Sequence, residues 1–187
     1  MANKVRYGLK KAYYSIVTIG QNGTPTFGAP KKLPGAVSIT LDADAEQGVF
    51  YADDIAYYVT QTNNGYDGKL ELALIPEEFD KDCLGSEEST DGLVYETATD
   101  EGSYFALLFE FTADSKAIRH CLYYCRAGRN SVEGETKGES AEVKTEELTF
   151  KAVPLPGSEI IKAKTCDTTD QTRYDNWYTT VSLPDTE

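Results

Sequence analysis

Residues 103–128 read SYFALLFEFTADSKAIRHCLYYCRAG. In the first run, 103–113, Phe105, Leu107, Phe109 and Phe111 fall on one face of an extended chain, because successive strand side chains point to opposite faces. Leu108 lies on the other face. Both faces are therefore apolar, which places this run at the centre of a sheet. The second run, 116–128, reads as another long strand. Cys121 and Cys125 are expected to share one face of it as small buried hydrophobes.

The same pattern extends outward. YYSIVTI (13–19) and AVSITL (36–41) read as strands, the latter with Val37, Ile39 and Leu41 on one face. NNGYDG (63–68) is a turn signal. The run after it places Leu70, Leu72 and Leu74 inward and Lys69, Glu71 and Ala73 outward. Pro76 opens a short helix, EEFDKDCL, which Gly85 ends. LVYETA (93–98), AEVKTEELTFKAVPL (141–155) and EIIKAKTC (159–166) supply further strands, and RNSVEGETKGES (129–140) a polar loop. Roughly eight strands, one short packed α-helix and long loops, without βαβ alternation, specify a mainly β chain, a β-sandwich or barrel. The 187 residues form one domain. Its expected parts are an N-terminal arm (1–12), a long Gly- and Pro-rich loop (20–35), an acidic loop region (42–65) and a C-terminal segment (166–187).

Net charge is −13, unevenly spread. Residues 1–41 hold Lys4, Arg6, Lys10, Lys11, Lys31 and Lys32 and no acid; all 31 acids follow. Such an excess argues against wrapping nucleic acid, which requires Lys and Arg on phosphates. A basic end and an acidic body attract each other between copies. No run approaches the roughly 20 apolar residues of a membrane-spanning helix, and the first residues carry no apolar signal region. Folding in a cytosol, with the four cysteines reduced, is the expectation.

No catalytic constellation emerges. The single histidine, His120, sits mid-strand without a nucleophile motif around it. Asp42, Asp44 and Glu46 resemble the start of a calcium loop, but Gln47 stands where such a loop needs Gly and Asp53 where it needs Glu. Asp53 and Asp54 are adjacent and would point oppositely on a strand, so they are no acid/base pair. No cofactor motif is present. Thirteen tyrosines suit protein interfaces, since the ring is apolar and its tip polar.

Five stretches together resemble one family: YGLKKAYYSI (7–16), LPGAVSITLD (33–42), FYADDIAYYV with NNGYDGKLELALIPEEF (within 50–79), ALLFEFTADSKAIRHCLYYCRAGR (106–129) and YDNWYTTV (174–181). The chain looks like a major tail protein, the tail-tube subunit of long-tailed, non-contractile bacteriophages or prophages. That resemblance implies hexameric rings stacked into a tube, with a tape-measure protein inside it and terminator and tip proteins at its ends. Double-stranded DNA would pass through transiently. It further implies a virion-tail location after assembly in the bacterial cytoplasm, no enzyme activity, no cofactor and no membrane insertion. Interface residues expected on this basis are Lys10, Lys11, Lys31, Lys32, Asp42, Asp44, Glu46, Asp53, Asp54 and Tyr57; Glu71, Glu110 and Glu147 are expected to face the lumen. The alternative is a carbohydrate-binding or adhesin-like β-sandwich of a tail tip or baseplate, presenting an aromatic platform around Trp177.

Overall fold

A computed structural model describes residues 3–129 and 144–185. Its centre is β10 (Tyr104–Ala113), hydrogen-bonded antiparallel to β1 (Arg6–Ile19) on one side and β11 (Ile118–Ala127) on the other. Beyond β11 follow β12 (Glu146–Ala152), β7 (Gly65–Leu72) and β4 (Ala36–Asp44). Three short strands complete a nine-stranded sheet: β2 (Pro25–Phe27) and β3 (Lys31–Leu33) on β1, and β13 (Lys162–Lys164) on β11, while β8 (Glu87–Glu88) and β9 (Val94–Tyr95) pair only with each other. The sheet coils until β4 comes back against β1 without a ladder between them. The expected mainly β, barrel-like class is what the chain adopts.

Both faces of β10 are buried, for the reason visible in its sequence. Phe105, Leu107 and Phe109 join Tyr14, Leu70, Leu72, Leu122, Leu148 and Phe150 inside the coil. Ala106 and Leu108 face outward, under the segment 154–183, with Val17, Cys121, Tyr123, Leu155 and Val181. Each such large side chain, fully buried, contributes about 1.5–3 kcal/mol.

The expected helix forms as α1 (Glu77–Phe79), winding directly into a π-helical turn (Asp80–Leu84) that Gly85 ends at φ 82°. It sends Phe79 and Cys83, both fully buried, into the inner core. A second helix, α2 (Gln171–Asp175), was not expected; Asp170 caps it through the Arg173 backbone N–H at 3.0 Å.

Several local expectations change. The 20–35 stretch is not a free loop, because β2 and β3 within it pair with β1. The 42–65 region is not an irregular acidic loop. β4 runs to Asp44, and β5 (Gln47–Ala52) pairs with β6 (Ile55–Gln61) as a ribbon. The 1–12 arm is part of β1 from Arg6 onward. Leu74, beyond the end of β7, is 65% exposed. Cys121 and Cys125 lie on opposite faces, since a bulge in β11 between the pairs Phe105/Cys125 and Leu107/Leu122 shifts the alternation. The 129–140 loop lies outside the described residues except for Arg129.

Candidate functional site

The ribbon is the most unusual surface of the molecule. β4, β5, β6 and β7 are one long antiparallel hairpin: its lower half belongs to the sheet, its upper half leaves it. Backbone bonds from Asn64 N–H to Asp44 O (2.8 Å) and from Thr62 N–H to Glu46 O (2.9 Å) carry the ladder across the join. At about 3.3 Å per residue, the tip stands roughly 25 Å beyond Asp44. A free two-stranded ribbon is marginally stable in water, yet this one exposes apolar side chains on both faces. Val49, Phe50, Tyr51, Ile55, Tyr57, Tyr58 and Val59 are each 44–70% exposed. Contiguous apolar surface on this scale marks an interaction site.

Asp53 and Asp54 form the two-residue turn at the tip, with φ 52° and 61°. Positive φ at both central positions matches a type I′ turn, whose twist suits a hairpin. Neither aspartate sits on a strand, so the expected opposite orientation does not apply. Tyr57, from the predicted set, flanks this turn and is 70% exposed. Its neighbours Phe50, Tyr51, Ile55, Tyr58 and Val59 belong to the same surface. The signal for them was the dense apolar content on either side of an Asp-Asp pair.

The second surface is the outward face of β4–β7–β12. Here Lys69 and Glu71 of β7 alternate with buried Leu70 and Leu72, and Glu147 and Lys151 of β12 alternate with buried Leu148 and Phe150. Register places Glu147 across from Glu71, and Asp42 and Lys151 across from Asp67 on either side. Phe150 packs its ring beneath Gly68, where an added Cβ would collide with it. Lys69 bridges to Glu147 (3.0 Å) and Lys151 to Asp44 (2.8 Å). The Lys151 contact holds the Asp44 carboxyl below its ordinary pKa. Hydroxyls of Thr145 and Ser38 do the same for Glu71 by donating to its carboxylate. Asp42, Asp44, Asp67, Glu71 and Glu147 outnumber Lys69 and Lys151, so the wall stays negative.

Glu110 does not share that face. It is 4% exposed, beneath the C-terminal segment, bonded by Arg119 Nε (3.1 Å), Lys11 Nζ (3.1 Å) and the Tyr178 hydroxyl (3.1 Å). β10 is covered on both faces, so the glutamate on its outer face lies under the C-terminal segment and not on an open wall. The predicted lysines divide similarly. Lys11 is turned toward Glu110 by a bulge at φ 51°, and Lys31 is held by Asp82 (2.6 Å) and Glu78 (2.8 Å) of its own chain. Lys10 and Lys32 are exposed, as is Glu46, whose backbone closes the ribbon's root. Trp177 packs against the outer core and donates to the His120 carbonyl at 3.4 Å, so it forms no exposed platform.

A family model described as phage tail tube protein matches residues 2–116, which include the ribbon and run through β10. No curated protein matches the chain. Among solved structures it is similar, at 10% identity and a TM-score of 0.49, to a chain from a "Cryo-EM structure of the anti-feeding prophage cap (AFP tube terminating cap)", covering 87% of this chain and 93% of that one.

Proposed function

The chain belongs to the phage tail tube protein family, and from that membership we propose that copies assemble into stacked hexameric rings forming the tube of a long-tailed, non-contractile phage. The family gives it a structural role in a virion tail, not a catalytic one. The finer reading is that the tube conducts double-stranded DNA, is built around a tape-measure protein, and is closed by terminator and tip proteins after assembly in the host cytoplasm. No described helix is long and apolar enough to cross a membrane.

The observation that carries this reading is the ribbon. A monomer gains nothing from a projecting element that exposes seven large apolar side chains; a polymer buries them against a neighbour. The edge of β4 away from β7 makes no ladder among the described residues, only side-by-side contact with β1, and is a second hazard for a monomer that a neighbouring copy removes. The charged wall of β4–β7–β12 suits the lumen, with Glu71 and Glu147 facing it. Carboxylates repel phosphate, and DNA then slides without sticking. Glu110, sequestered in its ion pairs, has no part in that wall.

Negative-stain electron microscopy of the purified chain across a concentration series tests the proposal. Hollow filaments or six-fold rings are expected. Monomers at every concentration, with tip proteins present, would overturn it.

A further inference from the structure

At the end of the coil from which the ribbon rises lies a cavity of about 240 Å³, to which β1, β4, β7, β10, β11 and β13 each contribute. Its lining is largely apolar, from Ile39, Leu41, Phe109, Phe111 and Leu122. The His120 ring forms part of the wall, parallel to Phe109 at 5.1 Å and edge-on to Phe111 at 5.5 Å. Nε2 of His120 is buried and makes no hydrogen bond with any described residue. Such an unpaired atom is uncommon and costly in a folded chain.

Two exposed cations line the same cavity. Arg6 lies over the Phe111 ring at 5.0 Å, and Lys162 over the Tyr66 ring at 4.0 Å. Neither has an acidic partner among the described ion pairs. By contrast Lys11, Lys31, Lys69, Lys151 and Arg119 are each tied to a carboxylate. Lys164 adds a third positive charge directly across the ladder from His120. In a chain of net charge −13 this opening is a local exception.

We propose that the cavity is a binding site for a small organic monoanion, its aromatic or short aliphatic body among Phe109, Phe111 and Leu122 and its carboxylate or sulfonate held at the opening by Arg6 and Lys162. The division of labour is physical. Burial of the body removes apolar surface from water, while the charge stays at the exposed rim and avoids the cost of entering an apolar interior. A guanidinium over a ring keeps its N–H donors for an anion's oxygens. The imidazole adds no charge at pH 7, because burial and Arg6, Lys164 and Lys162 hold its pKa down to about 4, so these cations select the sign of the ligand. The volume lies just below the roughly 300–1,000 Å³ of sites for drug-sized ligands, which limits the body to about one ring. Inorganic anions have nothing to place against the apolar walls. The site lies within one chain and does not depend on the tube reading.

The test is ligand-observed fluorine NMR of 4-fluorobenzenesulfonate with the full-length chain at pH 7 and low salt, a readout that serves monomers and assemblies alike. Saturable line broadening is expected, with a Kd on the order of 1 mM for a ligand this small, weakening as salt is added. The neutral isostere 4-fluorobenzenesulfonamide is expected to bind at least about tenfold more weakly, and inorganic sulfate to compete at least about tenfold less well than unlabelled benzenesulfonate. Arg6→Gln with Lys162→Gln, which alters two exposed side chains, is expected to weaken binding about tenfold. Ile39→Phe, which fills the cavity, is expected to abolish it. Broadening that does not saturate, equal binding of the sulfonamide, or full binding by the folded rim variant would overturn the proposal. Binding to dispersed chains that is lost on assembly would give the cavity to a neighbouring copy and likewise overturn it.

Discussion

At the scale of single residues, two ionisable groups on neighbouring strands, the buried Glu110 and the half-buried His120, show opposite ways of holding a charge-bearing side chain inside a sheet. Glu110 is ion-paired to Arg119, which stacks over the Tyr174 ring at 3.7 Å and thereby ties β10 and β11 to α2. Removing one partner of a buried pair leaves the other charge uncompensated. Glu110→Gln is therefore expected to destabilise the chain by about 3 kcal/mol, read as a lower urea midpoint with an unchanged slope. His120 differs, because burial and the cations Arg6, Lys164 and Lys162 hold its pKa down, to about 4 from 6.5. A group depressed in the folded state contributes stability that is whole above the unfolded pKa and is lost as pH falls. Here the window is pH 6.5 to 4. His120→Phe keeps the stacked ring and removes the titration. The variant is expected to match the parent at pH 7 and to lose roughly 2 kcal/mol less than the parent between pH 6.5 and 4, in parallel urea titrations.

At the scale of elements, the ribbon and the sheet are one hairpin with two environments. Its lower half is held by Leu70, Leu72 and Leu148 in the core; its upper half has only its own ladder. The turn is separable from the charge it carries. Asn-Gly is the preferred pair for the backbone that Asp53 and Asp54 adopt. Asp53→Asn with Asp54→Gly is expected to leave the thermal midpoint unchanged or slightly raised. It should weaken self-association at low ionic strength, with a smaller difference at high salt, by analytical ultracentrifugation. An unchanged association at every salt concentration would show that the tip charges are idle.

At the scale of the whole molecule, the sheet presents three different faces to its surroundings: a core inside the coil, a second core beneath segment 154–183, and an uncovered charged wall on β4–β7–β12. Polar-out alternation on that wall is what an antiparallel sheet with one wet side requires. If the wall lines a tube, then Glu71→Lys with Glu147→Lys reverses its sign without touching the cores. Tubes of that variant are expected to retain double-stranded DNA in a salt-sensitive way in a filter-binding assay, where parent tubes retain little. Equal retention by both would argue against a lumenal position for these acids.

The sequence by itself determined the fold class, because alternation in 103–113 and in the flanking runs is a property of the chain alone. It also determined the helix after Pro76 and the apolar-acidic-apolar character of 49–59. Only the tertiary structure decided which polar residues are surface. Glu110 and Lys11 read like any alternating or terminal charge until the segment 154–183 folds over β10. Lys31 reads as a loop cation until β3 brings it to Asp82. The faces of Cys121 and Cys125 depended on one bulge, which a period of two does not encode. The cavity at His120 is assembled from strands far apart in the chain, and side-chain surroundings contributed across a coiled sheet leave no local pattern to read.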